Sequence, residues 1–152
     1  MNNIEFRLIR EELHLSQTEL ADLWGKPIRT IQRWEKGEFL IPQEFQDRLE
    51  KYLSDVNRSV KQFLLTLENL ADGTEAQIVL LAYNCWTYDG DFPHYKIHNS
   101  CIIKCKEVAK TLGFNVRLVQ FKPDEYETWL DTIGKEDNQA NRSVWASFQI
   151  KE

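Results

Sequence analysis

The chain has 152 residues, 42% of them hydrophobic and 28% charged, a balance typical of one ordinary globular domain or two small ones. Its net charge of -5 excludes a broadly basic face for nucleic acid, so any such binding must be local. No run approaches the roughly 18 to 20 apolar residues of a membrane-spanning helix, and the polar, acidic residues 1–5 are unlike a secretory signal. With three cysteines, an odd number that predicts reduced thiols, these features indicate a cytoplasmic protein without membrane association.

The N-terminal part of the chain has the apolar spacing of short helices. The first predicted helix covers residues 3–12 and directs four apolar side chains toward a core: Phe6, Leu8, Ile9 and Leu13. Ser16 caps the second helix, and Glu19 completes a Ser-x-x-Glu capping box that satisfies otherwise unpaired backbone N–H groups. Gly25 suits the left-handed turn that ends this helix.

A third predicted helix has Pro27 in its first turn and stops at Gly37. Ile31 and Trp34 must face inward if this helix is to pack, which leaves its opposite face exposed. Between residues 24 and 36 four basic side chains accompany a single acid. Positive charge is therefore concentrated in this short element, although the chain as a whole is acidic.

The exposed face of the third helix carries side chains that suit the base edges of DNA: Ile28, Arg29, Gln32 and Arg33. A forked guanidinium pairs with O6 and N7 of guanine and contributes about 1 to 3 kcal/mol of discrimination. Arg29 and Arg33 are therefore predicted to be the main base readers. Ile28 either contacts a thymine methyl or shields the interface. For the two arginines the alternative interpretation is a solvated helix face.

Phosphate contacts are predicted around this face at four residues: Ser16, Lys26, Thr30 and Lys36. Such contacts fix the register of a protein on DNA and carry no sequence information. Two of them also have a purely structural interpretation. Ser16 is explained as a helix cap alone, and Lys36 as a cation near a helix C-terminus.

In combination, several of these positions resemble the lambda-repressor-like, XRE/Cro-type helix-turn-helix over about residues 3–50: Ser16 through Ala21, Gly25, Ile31, Trp34-Glu35 and Gly37. The resemblance implies double-stranded DNA as the partner, residues 28, 29 and 33 as base readers, and a phosphate contact from Gln17 at a helix N-terminus. Ile28 departs from the polar residue often found at its position. Because one such helix reads few base pairs, we expect a homodimer on inverted half-sites.

A second resemblance lies in the order of the parts and in the Arg-x-x-Gln-x-Trp-Glu-x-Gly run at residues 29–37. Both are similar to the anti-CRISPR-associated repressors and to a group of small uncharacterised bacterial regulators. That resemblance implies an autoregulatory dimer and adds RNA as a further partner.

From Pro42 to Leu70 apolar residues recur every three or four positions, which predicts either one long helix or two helices with a bend at residues 54–59. Turn residues at 71–75 predict a domain boundary. We therefore expect a helical DNA-binding domain at 1–71 and a smaller domain at 72–152 that dimerises or binds a partner.

The second domain is predicted to contain two strands, residues 78–83 and 116–121, joined by a helix at 97–112. Pro123 begins another helix, and the last helix carries Trp145 and Phe148. The fold class is thus α+β: an N-terminal all-α unit, a long helical linker and a small strand-helix-strand-helix unit. Because two strands make a poor sheet alone, added strands, a covering helix or a partner subunit are expected.

Two groups in the second domain have both a chemical and a structural interpretation. His98, Cys101, Cys105 and Cys85 can be drawn as a metal site, and Cys85 with His94 or His98 as a Cys-His nucleophile. The two helical cysteines also suit an apolar stripe, which we favour. The aromatic loop from Trp86 to Tyr95 is either a ligand or protein contact or a segment folded onto the sheet, and we favour the latter. Neither group predicts an enzyme, a metal or a cofactor.

The sequence therefore predicts a homodimeric, sequence-specific regulator of transcription, most simply a repressor. The alternative is an antitoxin-like or adaptor protein whose C-terminal domain binds a protein partner.

Overall fold

The structure, a computed structural model, describes residues 1–70 and 77–150. Within these residues it has the following order of elements: α1 (Asn3–Glu12), α2 (Gln17–Trp24), α3 (Ile28–Glu35), α4 (Gln43–Asn69), β1 (Gln77–Ala82), α5 (Tyr95–Thr111), β2 (Asn115–Gln120), α6 (Pro123–Ile133) and α7 (Gln139–Phe148). This order confirms the predicted α+β class, with a helical N-terminal part, a long helix and a small α/β part.

The chain divides into two compact units, each made of two segments: an N-terminal unit of Met1–Lys61 with Gly90–Cys101, and a C-terminal unit of Gln62–Asp89 with Ile102–Glu152. The predicted domain boundary at residues 71–75 lies outside the described residues. The domain limits 1–71 and 72–152 stay a prediction. The segment Gly90–Cys101 belongs to the N-terminal unit, although it follows β1 in sequence.

The ends of α2 and α3 are set by local chemistry, largely as predicted. Both hydrogen bonds of the capping box form: the Ser16 hydroxyl accepts from the Glu19 backbone N–H at 3.1 Å, and the Ser16 N–H donates to the Glu19 carboxylate at 2.8 Å. Gly25 ends α2 with φ at +60°. Pro27 stands one position before α3 rather than inside its first turn.

An aromatic cluster forms the core of the N-terminal unit. Phe6 contacts Trp24 and Trp34 with ring centroids 6.1 and 6.0 Å apart, and Phe45 lies 5.1 Å from each tryptophan. The Trp24 indole N–H donates to the Tyr52 hydroxyl at 3.2 Å, which satisfies its polar atom. This cluster anchors α1, α2 and α3 on the start of α4.

One side chain expected in this core is not there. Leu8 is 52% exposed, so its predicted burial is wrong. The face of α1 that turns inward instead carries Arg10, which is 7% exposed.

The helix α4 is continuous, so of the two alternatives the single long helix is correct. Its polar central stretch has weak helix propensity but makes side-chain pairs within the helix. Asp55 lies 2.6 Å from the Lys51 ammonium and 3.2 Å from the Arg58 guanidinium. Val56, in the same turn, is fully buried.

In the C-terminal unit β1 and β2 pair in parallel, with register from Gln77 opposite Asn115 to Ala82 opposite Gln120. The helix α7 packs against β1, so the expected covering helix is present. Trp145 on α7 is buried and touches Phe121 and Tyr126 edge-on. The strand β2 is more exposed than its β-branched sequence suggests, with Leu118 41% exposed.

Arg142 on α7 binds two loops of this unit, the one that follows β1 and the one between α6 and α7. Its guanidinium makes paired hydrogen bonds to Asp137, at 2.9 and 2.6 Å, and to Asp89, at 2.7 and 2.8 Å. A fifth bond, of 3.3 Å, reaches the Tyr83 hydroxyl. Hydrogen bonding to Arg142 lowers the pKa of both aspartates below the usual range. The Arg142 side chain is only 11% exposed, and its guanidinium lies 4.6 Å from the centroid of the Phe121 ring.

Acid is expected to destabilise the protein through this arrangement. Because the folded-state pKa of Asp89 and Asp137 is lowered, their stabilising contribution is complete above the unfolded pKa of about 3.9 and is lost as pH falls through the lower folded value. Urea unfolding measured from about pH 6 to about pH 3 checks this. The variant Asp89→Asn should show a flatter pH dependence than the wild type. Asp131→Asn on the exposed side of α6 removes the same charge and should keep the wild-type slope; equal slopes for both variants would contradict the prediction.

Candidate nucleic-acid interface

The helix α3 is held by two buried side chains and presents the rest outward. Ile31 is fully buried and Trp34 is 5% exposed, as the sequence predicts. Arg29 and Arg33 are exposed, Ile28 is 38% exposed, and Gln32 is half-buried at the edge of the same face. The structure therefore brings the four predicted base-reading residues together on one side of one helix.

The two arginines differ in their surroundings. Arg29 makes no hydrogen bond or ion pair with any residue in 1–70 or 77–150, so its guanidinium is available to a ligand. Arg33 has two contacts beyond the end of α3. Its Nε atom lies 3.8 Å from the Glu38 carboxylate, and its guanidinium lies 5.3 Å from the centroid of the Phe39 ring. Both contacts are solvent-exposed and weak.

A buried ion pair between α1 and α3, extended to α2 by a glutamine amide, joins the three N-terminal helices, and no sequence pattern predicts it. The Arg10 Nε atom donates to Glu35 at 2.5 Å and Nη2 to the other carboxylate oxygen at 3.1 Å, with side-chain exposures of 8% and 5%. Arg10 also donates to the Leu15 carbonyl at 2.7 Å. Gln17, at the start of α2, donates its amide to Glu35 at 2.6 Å. The buried Arg10 guanidinium therefore balances the negative charge of Glu35, which does not offset the positive charge of the outward face of α3.

A shallow depression of about 310 Å³ lies beside this network and is lined by five side chains: Arg7, Gln17, Gln32, Glu35 and Lys36. Two cations and two amides at its rim can donate to a phosphate oxygen. Gln17 was expected at such a position from the resemblance, and its bond to Glu35 fixes where the amide lies. Arg7 was missed, because only its place on α1 opposite α3 brings it to this rim.

The remaining predicted phosphate contacts are placed as follows. Lys26 is exposed, with its ammonium 5.0 Å from the Phe45 ring centroid, and Lys36 is exposed at the C-terminal end of α3. Thr30 is half-buried in the first turn of α3. Ser16 is occupied as a helix cap, which is the structural interpretation of that residue. Whether these side chains contact phosphate stays a prediction.

The N-terminal unit also contains one ion pair between α2 and α5. The Glu19 carboxylate lies 2.7 Å from the Lys96 ammonium. Burial alone would raise the pKa of Glu19, but the hydrogen bonds from Lys96 and Ser16 outweigh it, so that the pKa lies below its usual value. The capping carboxylate of α2 is therefore ionised at neutral pH.

The cysteines and the aromatic loop follow the structural interpretations only in part. Cys101 and Cys105 are buried at 5% and 4% exposure, as expected for an apolar stripe, whereas Cys85 is exposed. Across the described ranges no three His, Cys, Asp or Glu side chains lie close enough together to hold a metal ion. Tyr88 packs edge-on against Tyr83 at 5.5 Å, but Trp86 is 90% exposed and does not pack onto the sheet.

No described helix has the length and apolarity needed to cross a membrane.

An exposed cationic helix, held on a small helical unit and followed by a separate compact unit, is an arrangement typical of regulators of gene expression. The profile of the Aca2/YdiL-like family matches residues 1–112, about three quarters of the chain. The chain belongs to this family of anti-CRISPR-associated regulators. The match confirms the second of the two resemblances seen in the sequence. A search of curated proteins found no match.

Proposed function

We propose that this protein is a sequence-specific, double-stranded DNA-binding repressor in which α2 and α3 act as an XRE/Cro-type helix-turn-helix. The observation that carries the proposal is the outward face of α3, where Arg29 and Arg33 stand exposed on a helix fixed by Ile31 and Trp34. A reading helix must be rigidly held while its base-contacting side chains remain accessible, and α3 meets both conditions.

The charge distribution supports the same function. The single acid within α3 is Glu35, which is turned inward and paired with Arg10. Glu38, an exposed acid just beyond α3, lies 3.8 Å from the Nε atom of Arg33. The exposed surface around α3 is therefore positive, although the whole chain has a net charge of -5. Local attraction to phosphate does not require a basic protein.

We further propose a homodimer on inverted half-sites. The eight residues of α3 span about 12 Å at 1.5 Å per residue, so that one copy reads only a few base pairs. Two copies spaced by about one turn of DNA, roughly 34 Å, would double the number of base pairs read. Binding to the region upstream of its own gene would make the protein autoregulatory.

The direct test is fluorescence anisotropy with the duplex upstream of its own gene, a scrambled duplex of equal composition and the corresponding RNA, at about 0.15 M salt. The proposal predicts saturable binding to the native duplex at least about 1,000-fold tighter than to the scrambled one. Sedimentation of the complex should give two chains per duplex. Equal affinities for the two duplexes would overturn the proposal and favour the adaptor role, whereas tighter binding to the RNA would identify an RNA-binding protein.

A finer prediction concerns Arg7 at the rim of the depression beside α3. Arg7→Ala should weaken binding to all duplexes by a similar factor and reduce the slope of log affinity against log salt by about 0.9, the loss of one phosphate contact. Arg58→Ala on α4 removes the same charge and should leave the slope unchanged. A change in discrimination between duplexes, or an unaltered slope for Arg7→Ala, would show that Arg7 does not contact phosphate.

A further inference from the structure

The C-terminal unit contains an open depression of about 320 Å³ that the DNA-binding proposal does not use. Its walls come from the loop after β1, from α6 and from the start of α7. Three carboxylates and several aromatic rings line it, among them Asp89, Asp137, Glu127, Trp86 and Tyr88. Its volume is at the lower end of the range for small-molecule sites.

The charge of this depression is negative on its solvent side. Asp89 and Asp137 remain 58% and 48% exposed while they bind Arg142, and Glu127 is exposed. Among the described residues that line it, the cation is Arg142, whose side chain is 11% exposed. All five of its N–H groups already donate, four to the two aspartates and one to the Tyr83 hydroxyl. The depression therefore has carboxylate oxygens to offer a ligand but no free guanidinium donor, which disfavours an anion.

Trp86 stands at the edge of the depression with 90% of its surface exposed. The loop that carries it is fixed on both sides. The backbone N–H of Trp86 donates to the Asn84 side-chain oxygen at 3.1 Å, and Tyr88 and Asp89 are held by Tyr83 and Arg142. An indole held in water in this way loses the stabilisation that burial would give it. Its face is the best of the aromatic side chains for binding a cation.

The same unit shows that a guanidinium suits these surroundings. Arg142 lies 4.6 Å from the Phe121 ring centroid and 5.8 Å from that of Tyr126, between two carboxylates. The lining of the depression also combines an exposed ring, that of Trp86, with exposed carboxylates.

We propose that this depression binds a small organic cation, a guanidinium or alkylammonium compound, with Glu127, Asp89 and Asp137 matching its charge and Trp86 covering its face or methylene chain. The site is independent of the DNA-binding proposal, because no residue that lines it belongs to the N-terminal unit. Its test uses no nucleic acid, so each proposal can fail without the other.

Isothermal titration calorimetry of the full chain with agmatine is the first measurement, and 4-guanidinobutyrate is the matched control. The two compounds share a guanidinium and a short methylene chain, but the control ends in a carboxylate. Saturable binding of agmatine, weakened by salt and at least about ten-fold tighter than that of the control, is expected. Equal affinities for both compounds, or no saturable binding of agmatine up to ~10 mM, would overturn the proposal.

Variants then locate the site. Glu127→Gln and Trp86→Ala should each weaken agmatine about two- to five-fold, and Trp86→Phe should restore part of the loss. Asp131→Asn, on α6 but outside the depression, changes the net charge equally and should have no effect. Equal effects of Glu127→Gln and Asp131→Asn would refute the location. A thermal melt of each variant excludes unfolding as the cause of weaker binding.

An arginine-containing peptide tests the other occupant of this surface. If the peptide bound in a Glu127-dependent manner and agmatine did not, the surface would be a protein-docking site and the small-ligand proposal would be wrong.

Discussion

Replacing Glu35 with alanine is expected to lower the free energy of unfolding by about 3 to 5 kcal/mol, the largest effect of any single substitution considered for this chain. The substitution removes the buried carboxylate from Arg10, whose side chain is 8% exposed, and leaves it with the Leu15 carbonyl at 2.7 Å and the exposed Glu11 carboxylate at 3.5 Å. A buried cation without its anion bears most of its desolvation cost. Urea denaturation followed by circular dichroism measures the change, with the slope of the transition checked for two-state behaviour.

The chain offers a matched control in the next turn. Glu38→Ala removes an equal charge from an exposed ion pair with Arg33 and should cost less than about 1 kcal/mol. Similar losses for Glu35→Ala and Glu38→Ala would show that the buried pair contributes no more than a surface pair.

A second variant tests whether the buried pair stabilises the fold, positions the Gln17 amide, or does both. Replacing both Arg10 and Glu35 with apolar residues of similar size should recover much of the stability, because no buried charge is left unpaired.

That double replacement should nevertheless weaken DNA binding. Gln17 would lose the Glu35 carboxylate oxygen to which its amide donates at 2.6 Å. The depression beside α3 would also lose Glu35 as a lining residue. A stable, folded variant with normal affinity for the duplex would show that the network stabilises the fold and does not position Gln17.

The local elements of the N-terminal unit were predictable because their signals are local. A capping box, a left-handed glycine and the apolar positions of α3 each act within about four residues, and each is found where the sequence places it. The Arg10–Glu35 pair was not predictable, because its partners are 25 residues apart and arginine at that spacing is usually solvated. The same contact explains why Leu8 is exposed, since the inward face of α1 is the one that carries Arg10.

In the C-terminal unit the strands and helices were likewise predictable, but the loops were not. The apolar runs give β1 and β2 and the crossover α5 gives their parallel pairing. The contact between Arg142 and Asp89 joins residues 53 positions apart, and no local pattern marks Asp89 as the acceptor. The aromatic loop was expected to fold onto the sheet as a whole. Tyr88 packs edge-on against Tyr83 at the end of β1, whereas Trp86 is 90% exposed.

Replacing Arg29 and Arg33 together with alanine is expected to abolish discrimination between the native and the scrambled duplex. Each arginine, if it makes a paired contact to guanine, contributes about 1 to 3 kcal/mol, so that the double variant should lose between about 30-fold and about 25,000-fold in specific affinity. Binding to the scrambled duplex should fall far less, because the phosphate contacts remain. Anisotropy titrations of both duplexes at one salt concentration measure the two losses side by side.

The two single variants should lose different amounts of specific affinity, and the surroundings of each arginine predict which loses more. Within the described ranges 1–70 and 77–150 Arg29 has no hydrogen bond or ion pair to break before it reaches a base, whereas Arg33 must leave Glu38 at 3.8 Å and the Phe39 ring. Arg29→Ala should therefore cost more affinity than Arg33→Ala, and Arg58→Ala on α4 should cost least. The free energy of unfolding should stay within about 0.5 kcal/mol of the wild type in all three, because the changes are on exposed surfaces. If the double variant still distinguished the two duplexes, α3 would not be the reading helix, and specificity would have to come from another surface of the protein or from the shape of the DNA.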